Sequence, residues 1–161
     1  MLATISPITE LRAEDLMSRD VICVPQKMSL RAAATMLNQA HISGAPIVDD
    51  HGRCIGVLSL RDLVKWIDQG EQAATRQPKA SACVCSDWQM VNVGNVPTDE
   101  VNRYMTTDVV TASPETMIGE LAQTMLDAQI HRLIITDYLG HVVGVVSSTD
   151  VLAALARHCR Q

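Results

Sequence analysis

The chain has 161 residues, a formal net charge of −5 and 47% hydrophobic residues. This length predicts one compact domain or a tight pair of small ones, with enough apolar residues for a core. The negative charge argues against generic nucleic-acid binding, which needs a basic face, and two Trp, two Tyr and no Phe leave few platforms for stacking bases.

No apolar run approaches the roughly 20 residues of a membrane-spanning helix. Residues 1–10 lack the basic start and apolar stretch of a signal peptide. We therefore expect a cytoplasmic protein that has neither a membrane nor a nucleic acid as its partner.

Two stretches of the chain repeat one another in register. Asp62 returns as Asp150 after 88 residues, and the other matching pairs have the same spacing. Those pairs are Asp20 and Asp108, Val21 and Val109, Asp49 and Asp137, Gly52 and Gly140, Gly56 and Gly144, Val57 and Val145, and Ser59 and Ser147. We assign copy one to residues 13–67, copy two to residues 101–155, and a linker to residues 68–100.

Each copy begins with a short helical turn that ends at Met17 or Met105, and then predicts the order β-α-β-β-α. The extended stretches are 21–24 and 109–112, and the paired strands are 45–48 with 54–58 and 133–136 with 142–146. Apolar residues at helical spacing predict an amphipathic helix in each copy. They are Leu30, Ala33, Ala34 and Leu37 in copy one, and Ile118, Leu121, Ala122 and Met125 in copy two. A turn with a glycine joins the paired strands, and final helices are predicted at 62–67 and 150–155.

The linker and the cysteines carry weaker signals. The first half of the linker is polar, whereas its second half, residues 83–93, is expected to pack on the body as an extra strand. Five Cys at irregular spacing predict reduced thiols rather than a disulfide framework. Cys83 and Cys85 form a C-x-C pair without a second pair or a nearby His, so we predict ordinary cysteines and no metal site.

The strongest chemical signal is Gly-Val-Leu-Ser-Leu-Arg-Asp at 56–62 and Gly-Val-Val-Ser-Ser-Thr-Asp at 144–150. Each is a strand that runs into a helix, and two interpretations remain open. Ser-x-x-Asp resembles a capping box that satisfies the first turn of the helix. The same helix start offers free N–H groups to a phosphate, while an Asp carboxylate is a good acceptor for ribose hydroxyls.

Two β-α-β-β-α copies that each contain this motif resemble a tandem pair of CBS domains, also called a Bateman module. The resemblance covers both copies and implies an α+β fold in which the repeats pack as a pseudo-two-fold pair. It also implies adenine nucleotides, or less often S-adenosylmethionine, bound in clefts between the copies. By position in the motif it nominates a main cleft with the residues Asp150, Ser147, Thr149, His131, Arg132, Val21 and Ile22.

The resemblance implies a second, weaker cleft with the residues Asp62, Ser59, Arg61, Val109 and Val110. The two clefts differ because copy two has His131-Arg132 before its strand, where members that sense nucleotides often have a His-Arg pair that meets phosphate. Copy one has the uncharged Ser43-Gly44 at that place. We therefore expect a phosphorylated ligand in the Asp150 cleft first.

The leading hypothesis is a regulatory module, not an enzyme, that needs no cofactor and binds AMP, ADP or ATP as its regulatory ligand. It would act on an unknown partner protein by a change of conformation or dimer geometry. A homodimer is expected, for which apolar residues of the final helices could form an interface or equally a core: Leu63, Val64, Trp66, Ile67, Val151, Leu152 and Leu155. The alternatives are a structural or dimerisation module without ligand, an S-adenosylmethionine sensor, and a metal or redox sensor built on Cys83 and Cys85.

Overall fold

The computed structural model describes residues 7–59 and 98–159, together with the backbone of Val84–Cys85 and Trp88–Gln89. These residues form two compact units. The unit that we call the first-copy unit contains residues 23–50, 55–59 and 98–107, and the second-copy unit contains residues 7–22, 51–54 and 108–159. Each copy has a three-stranded sheet with helices, which confirms the predicted α+β fold class.

Copy one contributes β1 (Val24–Pro25), α2 (Leu30–Gln39), β2 (Gly44–Val48) and β3 (Cys54–Ser59). The sheet order is β1-β2-β3, and β1 runs parallel to β2. The predicted helical stripe is fully confirmed, because its four members are buried. The core of the first-copy unit consists of Val24, Leu30, Ala33, Ala34, Leu37, Ala45, Ile47, Leu58 and Val101.

The second-copy unit contains a 3₁₀ turn (Ile8–Glu10), α1 (Ala13–Leu16), β6 (Thr111–Ala112), α3 (Ile118–Asp127), β7 (Arg132–Thr136), β8 (Val142–Ser147) and α4 (Ser148–His158). The sheet order is β6-β7-β8, with β6 parallel and β8 antiparallel to β7. Its core consists of Ala13, Leu121, Met125, Leu133, Ile135 and Val146. Of the predicted stripe, Ile118, Leu121 and Met125 are buried and Ala122 is half-buried.

Several element bounds differ from the predicted ones for local reasons. Helix α4 begins at Ser148, two residues before the predicted start, because Ser147 caps it. The first strand begins at Val24 and not at Val21, since the Val21 N–H donates to the Arg19 carbonyl at 2.9 Å and so turns the chain there. The expected extra strand is a pair, β4 (Val84–Cys85) and β5 (Trp88–Gln89), which are antiparallel to each other. The final helix of copy one lies outside the described residues.

The short segment that precedes copy one belongs to the second-copy unit. The Ala13 N–H donates to the Thr116 carbonyl at 2.9 Å, and the Ile118 N–H donates to the Leu11 carbonyl at 2.8 Å. Ala13 itself is fully buried in the second-copy core. The first residues of copy one therefore complete the core of the unit built on copy two.

The segment that precedes copy two makes the equivalent contacts in the first-copy unit, through a 3₁₀ turn at Val101–Arg103. The Val101 N–H donates to the Met28 carbonyl at 2.9 Å, and the Leu30 N–H donates to the Asp99 carbonyl at 2.7 Å. Each bond matches one in the second-copy unit 88 positions away. We call residues 11–18 and 99–106 the entry segments. The limits 13–67 and 101–155 mark repeats of the sequence, whereas each compact unit combines one body with the entry segment of the other copy.

The turn between β7 and β8 has Gly140 at φ 85°, which favours glycine, as does Gly52 at φ 79° in the matching turn of copy one. Asp137 Oδ1 accepts hydrogen bonds from the N–H groups of Leu139 at 2.9 Å and His141 at 2.8 Å. Partial desolvation raises the pKa of Asp137, but these bonds and the contact with the His141 side chain outweigh it, so that the pKa lies below its ordinary value.

None of the helices in the described part of the chain combines the length and the apolar character that are needed to span a membrane.

Helices α2 and α3 are both followed by a non-glycine residue in the left-handed region. These residues are His41 and Gln129, each with φ 53°. The following N–H reaches back five residues, from Ile130 to the Met125 carbonyl at 2.9 Å. This is the Schellman ending, in which glycine is favoured because a Cβ is strained at positive φ.

Gln129→Gly is therefore expected to raise the free energy of unfolding by about 0.5–1 kcal/mol, since the strain removed exceeds the added entropy of the unfolded chain. Urea denaturation measures this change. The control is Ala128→Gly at φ −84°, where the same loss of a Cβ should lower the free energy of unfolding. Equal effects of the two substitutions would contradict the prediction.

Candidate functional site

The Ser-x-x-Asp motif of copy two forms the junction between β8 and α4. The Ser147 N–H donates to Asp150 Oδ2 at 2.8 Å, and the Asp150 N–H donates to Ser147 Oγ at 3.2 Å. These two bonds form a reciprocal capping box, with Ser147 as the N-cap. The structural interpretation of the motif is thus confirmed in copy two.

The cap uses only one oxygen of the Asp150 carboxylate. The Ser147 hydroxyl also donates to Oδ2, at 2.6 Å, so that all the bonds of this carboxylate are made by the same atom. Within the described ranges Oδ1 accepts no hydrogen bond. A side chain that caps the helix with one oxygen therefore still presents a charged acceptor with the other, and the two interpretations of the motif do not exclude each other.

The first turn of α4 has one main-chain donor for which the described residues provide no acceptor. The Ser148 N–H donates to the His131 carbonyl at 2.9 Å, and the Asp150 N–H is occupied by the cap. The Thr149 N–H has no acceptor among the residues that the structure describes, and the Thr149 side chain is exposed. Since free N–H groups at a helix start attract anions, Thr149 offers a main-chain donor next to its hydroxyl. The sequence predicts free N–H groups at this helix start, and the structure shows that the unused one is that of Thr149.

The sheet brings His131 and Arg132 to this helix start from 15 residues earlier in the chain. Arg132 is the first residue of β7 and is paired directly with Ser147 in the antiparallel register. Directly opposed residues have Cβ atoms about 4.5–5.5 Å apart. The side chains of His131 and Arg132 are exposed. The structure therefore places a guanidinium-bearing residue beside the cap, where it can meet an anion held at the start of α4.

Val21 and Ile22, the remaining residues of the predicted main cleft, belong to the same compact unit as Asp150. They follow Ser18, which exchanges two hydrogen bonds with Val145: the Ser18 N–H donates at 2.9 Å and the Val145 N–H at 3.0 Å. Val21 is half-buried, and Ile22 is 40% exposed. Val21 and Ile22 therefore follow shortly after an entry segment that is hydrogen-bonded to β8, the strand that ends at Ser147.

The described residues do not bring the second predicted set together. Ser59 ends β3 and is half-buried, whereas Arg61 and Asp62 lie outside the described part of the chain. Val109 and Val110 are half-buried and belong to the other compact unit. The second cleft therefore stays a prediction.

A steric feature of copy one explains why its sequence has no counterpart of Arg132. Gly44 occupies that position, and a Cβ built on it would lie 2.9 Å from the Leu58 carbonyl oxygen and 3.3 Å from the Ser59 Cα. Backbone atoms cannot give way as a flexible side chain can. A cation cannot be placed beside Ser59 from this position without a shift of β2 against β3.

The described residues contain no group of three His, Cys, Asp or Glu side chains that could hold a metal ion. Among the described cysteines, the half-buried Cys23 and Cys54 and the exposed Cys159 form no disulfide bond. Burial raises the pKa of the Cys23 thiol, which disfavours the reactive thiolate. The side chains of Cys83 and Cys85 lie outside the described residues, so the prediction about this pair remains a prediction.

The comparison with protein families decides the family. The model described as "CBS domain" matches residues 13–69 and again residues 100–157. This chain belongs to the CBS domain family. The predicted resemblance is confirmed, and the two matches follow each other in tandem as the repeat of the sequence indicated.

Solved structures of CBS domain pairs share the fold of this CBS chain. The CBS domain pair of protein MJ0100, in complex with 5′-methylthioadenosine and S-adenosyl-L-methionine, has a TM-score of 0.69 at 22% identity, covering 91% of this chain and 97% of that one. CBSX2 in complex with AMP has a TM-score of 0.70 at 20% identity, covering 93% and 98%. At these identities the likeness shows the fold alone.

Curated relatives differ widely in length. The uncharacterized protein MJ1426 of Methanocaldococcus jannaschii is 26% identical over 152 residues, which cover 88% of this chain and 89% of that protein. The 5′-AMP-activated protein kinase subunit gamma-3 of Sus scrofa is 25% identical over 140 residues, which cover 85% of this chain but 24% of that protein. The tandem CBS match therefore corresponds to nearly all of some relatives and to a minor part of others.

Proposed function

We propose that this CBS domain protein is a regulatory module, without catalysis of its own, that binds an adenine nucleotide at the start of α4. The observation that carries the proposal is the set of groups gathered there. Asp150 Oδ1 suits the hydroxyls of a ribose, the Thr149 N–H and hydroxyl suit a phosphate, and the charged Arg132 stands one strand away. The AMP complex of CBSX2 supports the nucleotide as ligand class.

The proposed ligand sits with its ribose on Asp150 and its phosphate between Thr149 and Arg132. Val21 and Ile22 provide aliphatic surface for the base, which suits a chain that has no Phe and only two Trp. A ligand held this way connects α4, β7 and the entry segment of copy one. Its binding energy favours the conformation in which these three elements are held together. A partner protein then binds differently to the conformation with ligand and the one without.

We further propose that the protein works as a homodimer in the cytoplasm. Leu152 and Leu155 on α4 support the dimer, since they are 63% and 47% exposed while Ala154 on the same helix is buried. Apolar side chains exposed on one helix stabilise an interface when a second copy covers them. The corresponding residues of copy one, at 63–67, lie outside the described part of the chain.

S-adenosylmethionine is the second candidate ligand, because the CBS domain pair of MJ0100 binds it. It shares the adenosine of AMP but replaces the phosphate by a sulfonium and an amino acid. The carboxylate of that amino acid lies several bonds farther from the ribose than the phosphate of AMP, so the Arg132 guanidinium is less well placed to meet it. Arg132→Gln is therefore expected to weaken binding of AMP more than binding of S-adenosylmethionine.

Thermal unfolding of the purified protein against AMP, ADP, ATP, S-adenosylmethionine and GTP tests the proposal. A ligand at 100 times its Kd adds about 2.7 kcal/mol of stability, which raises the Tm of a domain of this size by several degrees. We expect a rise with adenine nucleotides and none with GTP. An unchanged Tm with every adenine ligand would favour a structural module that dimerises without a ligand.

A further inference from the structure

Met17, the last residue before the Ser18–Val145 bridge, occupies a hollow that exists only because residue 144 is glycine. A Cβ built on Gly144 would lie 2.8 Å from Met17 Cγ and 3.0 Å from Met17 Cβ. Gly144 is buried in β8, and Met17 packs against the core of the second-copy unit. The Met17 side chain thus lies directly on the backbone of the strand that ends at Ser147.

The hollow and the bridge fix two consecutive residues of the entry segment on two consecutive residues of β8. Met17 packs on Gly144, and Ser18 exchanges its two hydrogen bonds with Val145. Beyond this point the Val21 N–H donates to the Arg19 carbonyl, and Ile22 follows with 40% of its surface exposed. The position of Ile22 relative to Asp150 therefore depends on how firmly Met17 and Ser18 hold the start of the turn.

We propose that Met17 is a positioning residue for the base of the bound ligand. It holds the entry segment so that Val21 and Ile22 form the apolar surface for the base, while the ribose and phosphate are held independently by α4 and β7. This inference rests on the proposed function. It predicts that loss of the Met17 side chain weakens the part of the binding energy that comes from the base and spares the part that comes from the ribose phosphate.

Copy one supplies a matched control, because its glycine and methionine repeat the same packing. A Cβ built on Gly56 would lie 2.5 Å from Met105 Sδ and 2.9 Å from Met105 Cγ. The next residue, Thr106, exchanges hydrogen bonds of 2.9 Å with Val57. This assembly belongs to the first-copy unit, whereas Asp150 belongs to the other. Met105→Ala should cost about as much packing energy as Met17→Ala without touching the entry segment that leads to Ile22.

The test compares AMP with ribose 5-phosphate, which lacks the base, in titration calorimetry on the full chain. All variants carry Asp62→Ala, so that any copy-one site is removed. Met17→Ala is expected to raise the Kd for AMP about tenfold, the loss expected when an apolar contact surface for the base is misplaced. The Kd for ribose 5-phosphate should change less than twofold, and Met105→Ala should change neither Kd.

A double-mutant cycle with Ile22→Ser shows whether Met17 acts through the apolar turn. Ile22 is exposed, so Ile22→Ser should fold normally and weaken AMP binding on its own. Met17→Ala should add little to the loss already caused by Ile22→Ser, because both remove the same contact with the base. Met17→Leu fills the hollow with a side chain of similar volume and should restore the affinity for AMP.

Two results would overturn the inference while the proposed function stands. One is an equal weakening of AMP and ribose 5-phosphate by Met17→Ala, and the other is unchanged AMP binding by a folded Met17→Ala protein. If Met17→Ala does not fold, the Kd values for AMP of Ile22→Ser and Met17→Leu are compared with that of the protein in which both residues are unsubstituted. An unchanged Kd for Ile22→Ser overturns the inference. Failure of the unsubstituted chain to bind AMP would overturn the proposed function, and the inference with it.

Discussion

Asp150→Glu is expected to weaken nucleotide binding strongly while the second-copy unit remains folded. Glu is the usual acid of a capping box, so its carboxylate can still accept the Ser147 N–H. The additional methylene moves the second oxygen away from the place where Asp150 Oδ1 meets the ribose. Because hydrogen bonds to a charged group contribute about 1.5–3 kcal/mol each, we expect the Kd for AMP to rise on the order of 100-fold.

Asp150→Ala removes both roles of the carboxylate at once and so serves as the comparison for Asp150→Glu. It removes the ribose acceptor and also the bonds that the Ser147 N–H and hydroxyl donate to the carboxylate. It should therefore lower both the affinity and the stability, the latter by about 0.5–2 kcal/mol. Calorimetric titration with AMP and urea denaturation of the three proteins measure the two quantities. AMP binding by Asp150→Glu at the affinity of the unsubstituted protein would show that the motif serves as a cap alone.

Val101→Asp is expected to unfold the first-copy unit, although residue 101 stands at the beginning of copy two. Val101 is fully buried in the core that also contains Leu30, Leu37 and Ile47. A carboxylate there would have to lose its hydration among aliphatic side chains, at a cost of several kcal/mol. This is comparable to the whole stability of a small domain, which is about 5–15 kcal/mol.

Hydrogen exchange shows which unit loses structure when Val101 is replaced by Asp. Amides of α2 and β2 should lose protection first, and amides of β7 and β8 should keep more of theirs. Asn102→Asp adds the same charge at the exposed neighbouring residue and loses the surface hydrogen bond from the Asn102 amide to Glu100 Oε2. It should leave the protection of both sheets nearly unchanged. Earlier loss of protection in β7 and β8 would contradict the assignment of the second entry segment to the first-copy unit.

Local patterns predicted the elements and the helix start of the candidate site well. The stripe of Leu30, Ala33, Ala34 and Leu37 was predicted from its spacing alone and is buried as expected. The Ser147–Asp150 pair was predicted from four residues, because a cap depends on atoms that are close in the sequence. Arg132 was nominated through the resemblance to the family, and the hairpin of β7 and β8 pairs it with Ser147.

The features that the sequence did not reveal depend on contacts between distant residues. Ala13 and Val101 are ordinary apolar residues, and nothing in their neighbourhood indicates that each completes the core of the other copy's body. The sequence shows that residue 44 has no charge. The cause is the close approach of the Leu58 carbonyl, which is seen only in the folded sheet. The overlap of cap and ligand acceptor on Asp150 also required the positions of individual oxygen atoms.

The exchange of entry segments imposes an order on folding as the chain leaves the ribosome. The first-copy unit uses no residue beyond Thr107, so all its parts have emerged while much of copy two is still being translated. The second-copy unit needs Ala13 and Met17 from before the first-copy unit and α4 from after it. Its first residues therefore keep their apolar side chains exposed until α4 has been synthesised. Because domains fold as units during synthesis, we expect residues 7–20 to become protected from proteases later than the first-copy unit does.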